Sequence, residues 1–171
     1  MKTATTGDVL FVSGTGIVGN GIKFVTQSDV SHVGIIYNGQ LIFETHSGQN
    51  ARLNPIKKTY DGKKVELYRP PLTDKEREAV INLCHKYNGS KYSNFDIATN
   101  LAFFWLRSKT RRKVVSCLGR KSWMICSEIT SRILYEVNPE KFSYLSIYEG
   151  LRPDDLKAIA KSKGWKLQAE A

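Results

Sequence analysis

Between Ser31 and His46 the chain reads SHVGIIYNGQLIFETH, two apolar stretches joined at Asn38-Gly39, and this segment constrains the fold more than any other. Asn-Gly flanked by alternating apolar residues is the strongest short-range signal of a β-hairpin. Two rules then disagree about its register. A two-residue turn at Asn38-Gly39 pairs His32 with Thr45 and sends Glu44 to the opposite face. Side-chain alternation says otherwise: Val33, Ile35, Tyr37, Leu41 and Phe43 form one apolar face only if His32, Gly34, Ile36, Ile42, Glu44 and His46 share the other. Burying five large apolar groups outweighs a turn preference. The pattern therefore predicts a three-residue loop with a bulge, or an equivalent offset of one residue. In that register His46 faces His32, and Glu44 lies on its diagonal.

Further strands are expected around the hairpin. Gly7 to Ser13 (GDVLFVS) reads as a buried strand, Ser31 to Tyr37 and Gln40 to His46 as the hairpin arms, and Lys64 to Tyr68 (KVELY) as another strand before the stop Arg69-Pro70-Pro71. Four or five strands thus come early. The period then becomes helical: Thr73-x-x-Glu76 is a capping box, apolar residues recur at Val80, Ile81 and Leu83, and Asn88-Gly89 supplies a stop. Ser93 opens a second helix through Phe104, a third starts near Cys126 and runs to about Tyr135, and a fourth follows Pro153 over 153–163. In the last, Asp154 and Asp155 come early and Lys161 and Lys163 late, matching the helix dipole. Strands first and helices after predict an α+β domain, a small, mainly antiparallel sheet or half-barrel packed on a helical side. The 171 residues suit a single domain. A chain of this length buries roughly 70% of its unfolded surface and needs no metal or disulfide to hold its core.

Several function classes drop out. The longest apolar run, Leu101 to Leu106, is six residues, far short of the roughly 20 that span a bilayer. The first residues hold Lys, Thr, Gly and Asp where a secretory signal would have an apolar stretch, so the expectation is a cytoplasmic protein. Cys84, Cys117 and Cys126 form neither an even framework nor a CxxC pair, which disfavours disulfides and zinc knuckles. Gly14 to Gly19 (GTGIVG) spells GxGxxG after a strand. A dinucleotide site also needs an acidic residue at the end of the next strand, where Tyr37-Asn38-Gly39 stands, so a glycine-rich turn is the ordinary reading.

Charge is unevenly spread. The net charge is +10, and Arg107, Lys109, Arg111, Arg112, Lys113, Arg120 and Lys121 bring seven cations into residues 107–122 with no acid. This segment reads either as a solvated basic loop or as a lid whose Arg107, Lys109, Arg111, Arg112 and Lys113 form an anion-binding surface, for an anionic polymer or a membrane surface. No nucleic-acid motif accompanies it, which disfavours DNA or RNA as a partner.

The residues that carry chemistry are His32 at the start of a strand, Glu44 on the returning strand, and Cys126 just before a helical stretch. A thiolate is a nucleophile, and a helix N-terminus lowers a cysteine pKa because its free N–H groups favour the anion. A nearby imidazole takes the thiol proton and later gives it to the leaving group, while a third polar group fixes the ring's tautomer. Thiolate, imidazole and carboxylate complete an acid–base cycle with no metal or organic cofactor. Taken alone, each residue has a plainer role: a small buried cysteine, a solvent-facing strand glutamate. Cys84 and Cys117 are read in that way as core, and His85 as a helix-surface residue.

These residues resemble the permuted papain-like, or NlpC-type, cysteine hydrolases, and within them the YiiX/YebB-like branch; lecithin retinol acyltransferase is more distantly similar. The likeness rests on Gly7-Asp8-Val9-Leu10-Phe11, Thr26-Gln27-Ser28 leading into Ser31-His32-Val33-Gly34-Ile35, Phe43-Glu44, Gly89 to Tyr92, and Cys126-Ser127-Glu128, in that order. It covers most of the chain up to about Tyr135, and the histidine precedes the cysteine, as in the permuted family. The branch often has an Asp soon after the tyrosine, where Ser93 stands here. The resemblance implies a circularly permuted papain-like fold with Cys126 as nucleophile, His32 as base and Glu44 as third member. It implies hydrolysis of amide or peptide bonds, or acyl transfer on an acyl-lipid by the same triad; a silent anion-binding module is the remaining alternative. Tyr92, His46, Ser31 and Ser127 are the further candidates for substrate binding or support of the triad.

Overall fold

The computed structural model describes residues 4–13, 30–46, 48–92, 123–148 and 150–170. The GxGxxG segment, the expected helix from Ser93 to Phe104, Cys117 and the basic segment with Arg107, Lys109, Arg111, Arg112 and Lys113 lie outside them.

Five strands come early: β1 (Val9–Ser13), β2 (His32–Asn38), β3 (Leu41–Glu44), β4 (Arg52–Pro55) and β5 (Lys64–Arg69), with a short helix α1 (Ile56–Tyr60) between the last two. Then follow α2 (Asp74–Tyr87), the two-residue strands β6 (Lys91–Tyr92) and β7 (Trp123–Met124), α3 (Cys126–Val137), a 3-10 turn (Ser143–Leu145), α4 (Pro153–Ser162) and β8 (Lys166–Glu170). The fold is α+β. Its sheet is open and antiparallel, in the order β4-β3-β2-β1-β5-β8, and β6 and β7 pair separately in parallel.

The hairpin register follows the apolar pattern. Ile35 pairs with Phe43 and Ile36 with Ile42, and the register shifts between Ile36 and Asn38. The offset is made by a bulge at Tyr37 together with a turn at Gly39-Gln40, so the expected three-residue loop is replaced by its one-residue equivalent. Asn38 Oδ1 accepts from the N–H groups of Gln40 and Leu41 and closes that turn.

Alternation then separates two cores. On one face Val9, Phe11, Val33, Ile35, Phe43 and Tyr68 meet the helices through Val80, Cys84, Ile129, Ile133 and Leu134, all buried. On the other, Leu10, Val12, Ile36, Ile42, Val65 and Leu67 pack with Ile56 and Tyr60 of α1. Thr73 caps α2 reciprocally with Glu76, as its capping box requires. Asp8, fully buried, is held by both Arg69 Nε (2.9 Å) and Arg69 Nη2 (2.7 Å), which ties the start of β1 to the end of β5. The sequence did not lead us to anticipate β4, α1, the two-residue strands β6 and β7, the 3-10 turn or β8.

Candidate active site

Three elements converge at the start of β2. His32 opens that strand, and Glu44 closes β3 two residues before His46. Continuing the register from Ile35 and Phe43 sets His46 across from His32 and Glu44 across from Gly34. The rings of His32 and His46 stack with centroids 4.1 Å apart and planes inclined by 15°. Gly34 admits this approach because a β-carbon there would stand 3.1 Å from Glu44 Cβ and closer still to Ile42.

Glu44 is fully buried and accepts four hydrogen bonds. Oε2 takes His32 Nε2 at 2.9 Å and the Tyr60 hydroxyl; Oε1 takes Asn54 Nδ2 at 2.8 Å and His46 Nε2 at 3.2 Å. Burial opposes its charge, but the hydrogen bonds from His32, His46 and Tyr60 and the charge on His32 outweigh that and hold the carboxyl far below the usual carboxylate range. Burial, then Glu44's charge, pushes the Tyr60 phenol well above its ordinary value, so Tyr60 stays a donor at any working pH.

Cys126 arrives from the opposite side as the first residue of α3. Glu128 fixes that helix start: its Oε2 accepts from the Ile125 N–H at 3.0 Å, its Oε1 from the Gly150 N–H, and an acid in the first turn suits the dipole. The Cys126 thiol is in hydrogen-bond contact with His32 and accepts from the N–H groups of Val33 and Ser127. Since Nε2 of His32 faces Glu44, Nδ1 is the ring atom left for sulfur. Burial resists a charged thiolate, yet the His32 charge and these hydrogen bonds bring Cys126 below the ordinary thiol value. Burial likewise resists the imidazolium, and the neighbouring Cys126 thiolate, followed by Glu44, raises His32 to about 9. The arrangement thus favours a thiolate–imidazolium pair backed by a carboxylate. By contrast Cys84 has only burial acting on it, which pushes its thiol up to about 12.

The other candidates fall into different places. Tyr92 pairs with Met124 in the β6–β7 bridge, two residues before Cys126. Burial first, then the charges of Cys126 and Glu128, push its phenol above the ordinary value, as befits a side chain beside the thiol. Ser31 bonds the Val12 carbonyl through both its N–H (3.0 Å) and its hydroxyl (3.3 Å) and so anchors the strand next to His32. Ser127 is fully buried and its hydroxyl donates to the Leu151 carbonyl; it meets the site through its backbone N–H and not through the side chain named from the sequence. His85 lies in the last turn of α2, 3.0 Å from the Tyr37 hydroxyl, as a helix-surface residue.

Sequence reasoning missed Asn54 and Tyr60. Tyr60 had one usable signal, its i, i+4 spacing from Ile56; Asn54, in a four-residue strand ending in proline, had none. A groove lined by Pro55, Ile56, Lys57, Tyr60, Lys63 and Lys64 touches this cluster through Tyr60.

No protein-family model matches the chain. No curated protein matches it either. Among solved structures it is similar to a protein described as the metalloprotein yiiX from Escherichia coli O157:H7, DUF1105, with a TM-score of 0.63 and 16% identity, covering 98% of this chain and 97% of that one. The two share a fold over nearly their whole length. Among the described residues no helix is long and apolar enough to cross a membrane.

Proposed function

We propose that this protein is a cysteine-dependent hydrolase of amide or peptide bonds, of the permuted papain-like, NlpC-type kind, with Cys126 as nucleophile, His32 as acid and base, and Glu44 as the group that orients His32. One observation carries the reading: His32 stands between the Cys126 thiol and Glu44, its Nε2 2.9 Å from Glu44 Oε2, which leaves the other ring nitrogen for the thiol in contact with it.

The Cys126 thiolate attacks the carbonyl carbon, and the oxyanion is met by the Cys126 N–H, which as a first helical residue lacks an intrahelical acceptor. The carbon–nitrogen bond breaks as His32 Nδ1 gives its proton to the departing amine, leaving a thioester. Neutral His32 then takes a proton from water, the hydroxide displaces the thiolate, and the acid leaves with the pair restored. Tyr92 forms part of the wall beside the thiol.

The neighbour's description as a metalloprotein calls for a test of fit. Among the described residues His32, Glu44 and His46 offer ligand atoms within 4.8 Å of one another. Their rings, however, are nearly parallel. Planes inclined by 15° with centroids 4.1 Å apart meet on the order of 10 Å away, against about 2 Å for a metal–nitrogen bond that lies in the ring plane. As arranged, the three residues fit a hydrogen-bonded relay and do not fit a chelate, and no step of the cycle above passes through a metal.

The test is the pH dependence of alkylation at Cys126, followed by mass spectrometry in wild type and His32→Ala, with Cys84 as the buried control. Fast modification of Cys126 well below the ordinary thiol pKa of about 8.5, slowed in His32→Ala, is the expected result. Cys126 reacting no faster than Cys84, with no effect of His32→Ala, refutes the hydrolase reading and favours a binding module.

A further inference from the structure

Glu44 divides its oxygens between two imidazoles. Oε2 takes Nε2 of His32 at 2.9 Å and Oε1 takes Nε2 of His46 at 3.2 Å, while the two rings lie on each other with centroids 4.1 Å apart and planes inclined by 15°. Only the contact of His32 with Glu44 has a part in the cycle above. The ring stack has none.

A hydrogen bond at Nε2 fixes one point of the His32 ring and leaves the ring free to tilt about that point. The tilt matters because Nδ1 serves the Cys126 sulfur, and a misplacement on the order of 1 Å at a reacting group can cost a factor of about 10² in rate. A flat ring in contact bars tilting toward itself, and the dispersion attraction it supplies is lost on tilting away. Tyr60 adds a second nearly parallel ring, 6.3 Å from His32 and inclined by 20°.

The chain places His46 for this task. The register sets it across from His32, and its own Nε2 is tethered to the carboxylate that orients His32, so ring and carboxylate form one clamp. With a side chain 36% exposed against 12% for His32, His46 is the outer ring of the pair.

We propose that His46 is a positioning residue: its ring, laid flat on His32, sets the plane of that imidazole and so aims Nδ1 at Cys126, the stack contributing more than the bond to Glu44. Its consequence for turnover rests on the hydrolase reading above; the geometry at His32 does not.

Two substitutions separate the two contacts. His46→Phe keeps a flat ring and loses the bond to Glu44, whereas His46→Gln keeps a donor for Glu44 and loses the ring. With p-nitrophenyl acetate as the probe, His46→Gln should lower kcat about tenfold or more with KM within about twofold of wild type, and His46→Phe should recover most of that loss. Histidine ¹⁵N NMR reads the clamp without turnover. The pH at which His32 loses its proton, about 9 in wild type, should fall in His46→Gln and stay closer to wild type in His46→Phe. Among the described residues the titratable groups facing His32 are Cys126 from α3, Glu44 from β3, Tyr60 from α1 and His46 itself, of which only the last is changed. Should either variant fold poorly, ring-to-ring NOEs between the two imidazoles in wild type test the stack directly. The proposal is overturned by His46→Gln with unchanged kcat and His32 titration, or by His46→Gln outperforming His46→Phe, which makes the bond to Glu44 the working contact. A raised KM at unchanged kcat, which makes His46 a substrate contact, or missing ring-to-ring NOEs overturns it equally. A wild type with neither fast Cys126 alkylation nor turnover sinks the hydrolase reading, and the His32 titration and the NOEs still decide the clamp.

Discussion

Replacing Gly34 with Ala tests whether the sheet sets the distance between the imidazole and its carboxylate. Gly34 lies on the same face of β2 as His32, across from Glu44 in the observed register. A β-carbon there would stand 2.7 Å from Ile42 Cδ1, 2.8 Å from Ile42 Cγ1 and 3.1 Å from Glu44 Cβ, whereas carbon atoms settle at about 3.5–4.0 Å. Ile42 is fully buried and Glu44 is held by four donors, so neither side chain can withdraw freely. Forcing one extra carbon into a packed core costs about 1–3 kcal/mol. Removing a glycine from a strand interior returns roughly 0.5–1 kcal/mol, so the steric cost wins. For a chain of this length each kcal/mol moves the melting temperature by about 2–4 °C, and calorimetry should find Gly34→Ala melting several degrees lower. The shift acts on Glu44 through its β-carbon, so the 2.9 Å contact with His32 lengthens and the pH above which His32 loses its proton falls from about 9. A ¹⁵N-histidine titration reads that directly. An unchanged melting temperature together with an unchanged His32 titration would refute the reasoning, since it would mean that the strands have slack at Gly34.

Tyr60→Phe removes one of four donors from a buried carboxylate and should cost about 1.5–3 kcal/mol in urea unfolding, a loss that disappears in the Glu44→Ala background if the hydroxyl acts through Glu44 alone. Glu76 is held down to about 2, burial opposing and Lys141, the Thr73 N–H and Asn138 prevailing, so its folded pKa lies below its unfolded one. Its contribution to stability is therefore complete above its unfolded pKa of roughly 4.3 and lost as pH falls toward 2; unfolding curves of wild type and Glu76→Gln should diverge above pH 4.5 and converge at pH 2.

What the sequence disclosed, it disclosed through alternation. The faces of β2 and β3 follow from where Val33, Ile35, Phe43, Ile36 and Ile42 must go, and once Phe43 is inside, Glu44 and His46 have only one side available, the side of His32. The bulge at Tyr37 follows from the same need, because the turn alone would have placed Glu44 on the wrong face. Helix α3 was legible as a helical stretch starting near Cys126, and Ile129, Ile133 and Leu134 supply its buried face. The support for Glu44 was not legible. β4 is four residues with a single apolar side chain, Leu53, and α1 is a five-residue helix, so neither contains a full period. Their partner is the sheet's second face, a long-range contact that no local pattern encodes. β8 was missed for a related reason: as an edge strand on β5 with largely exposed side chains, it carries no strong alternation. Ser127 shows the reverse error, where neighbourhood in sequence to Cys126 suggested a side-chain role and helix geometry turned that hydroxyl toward Leu151.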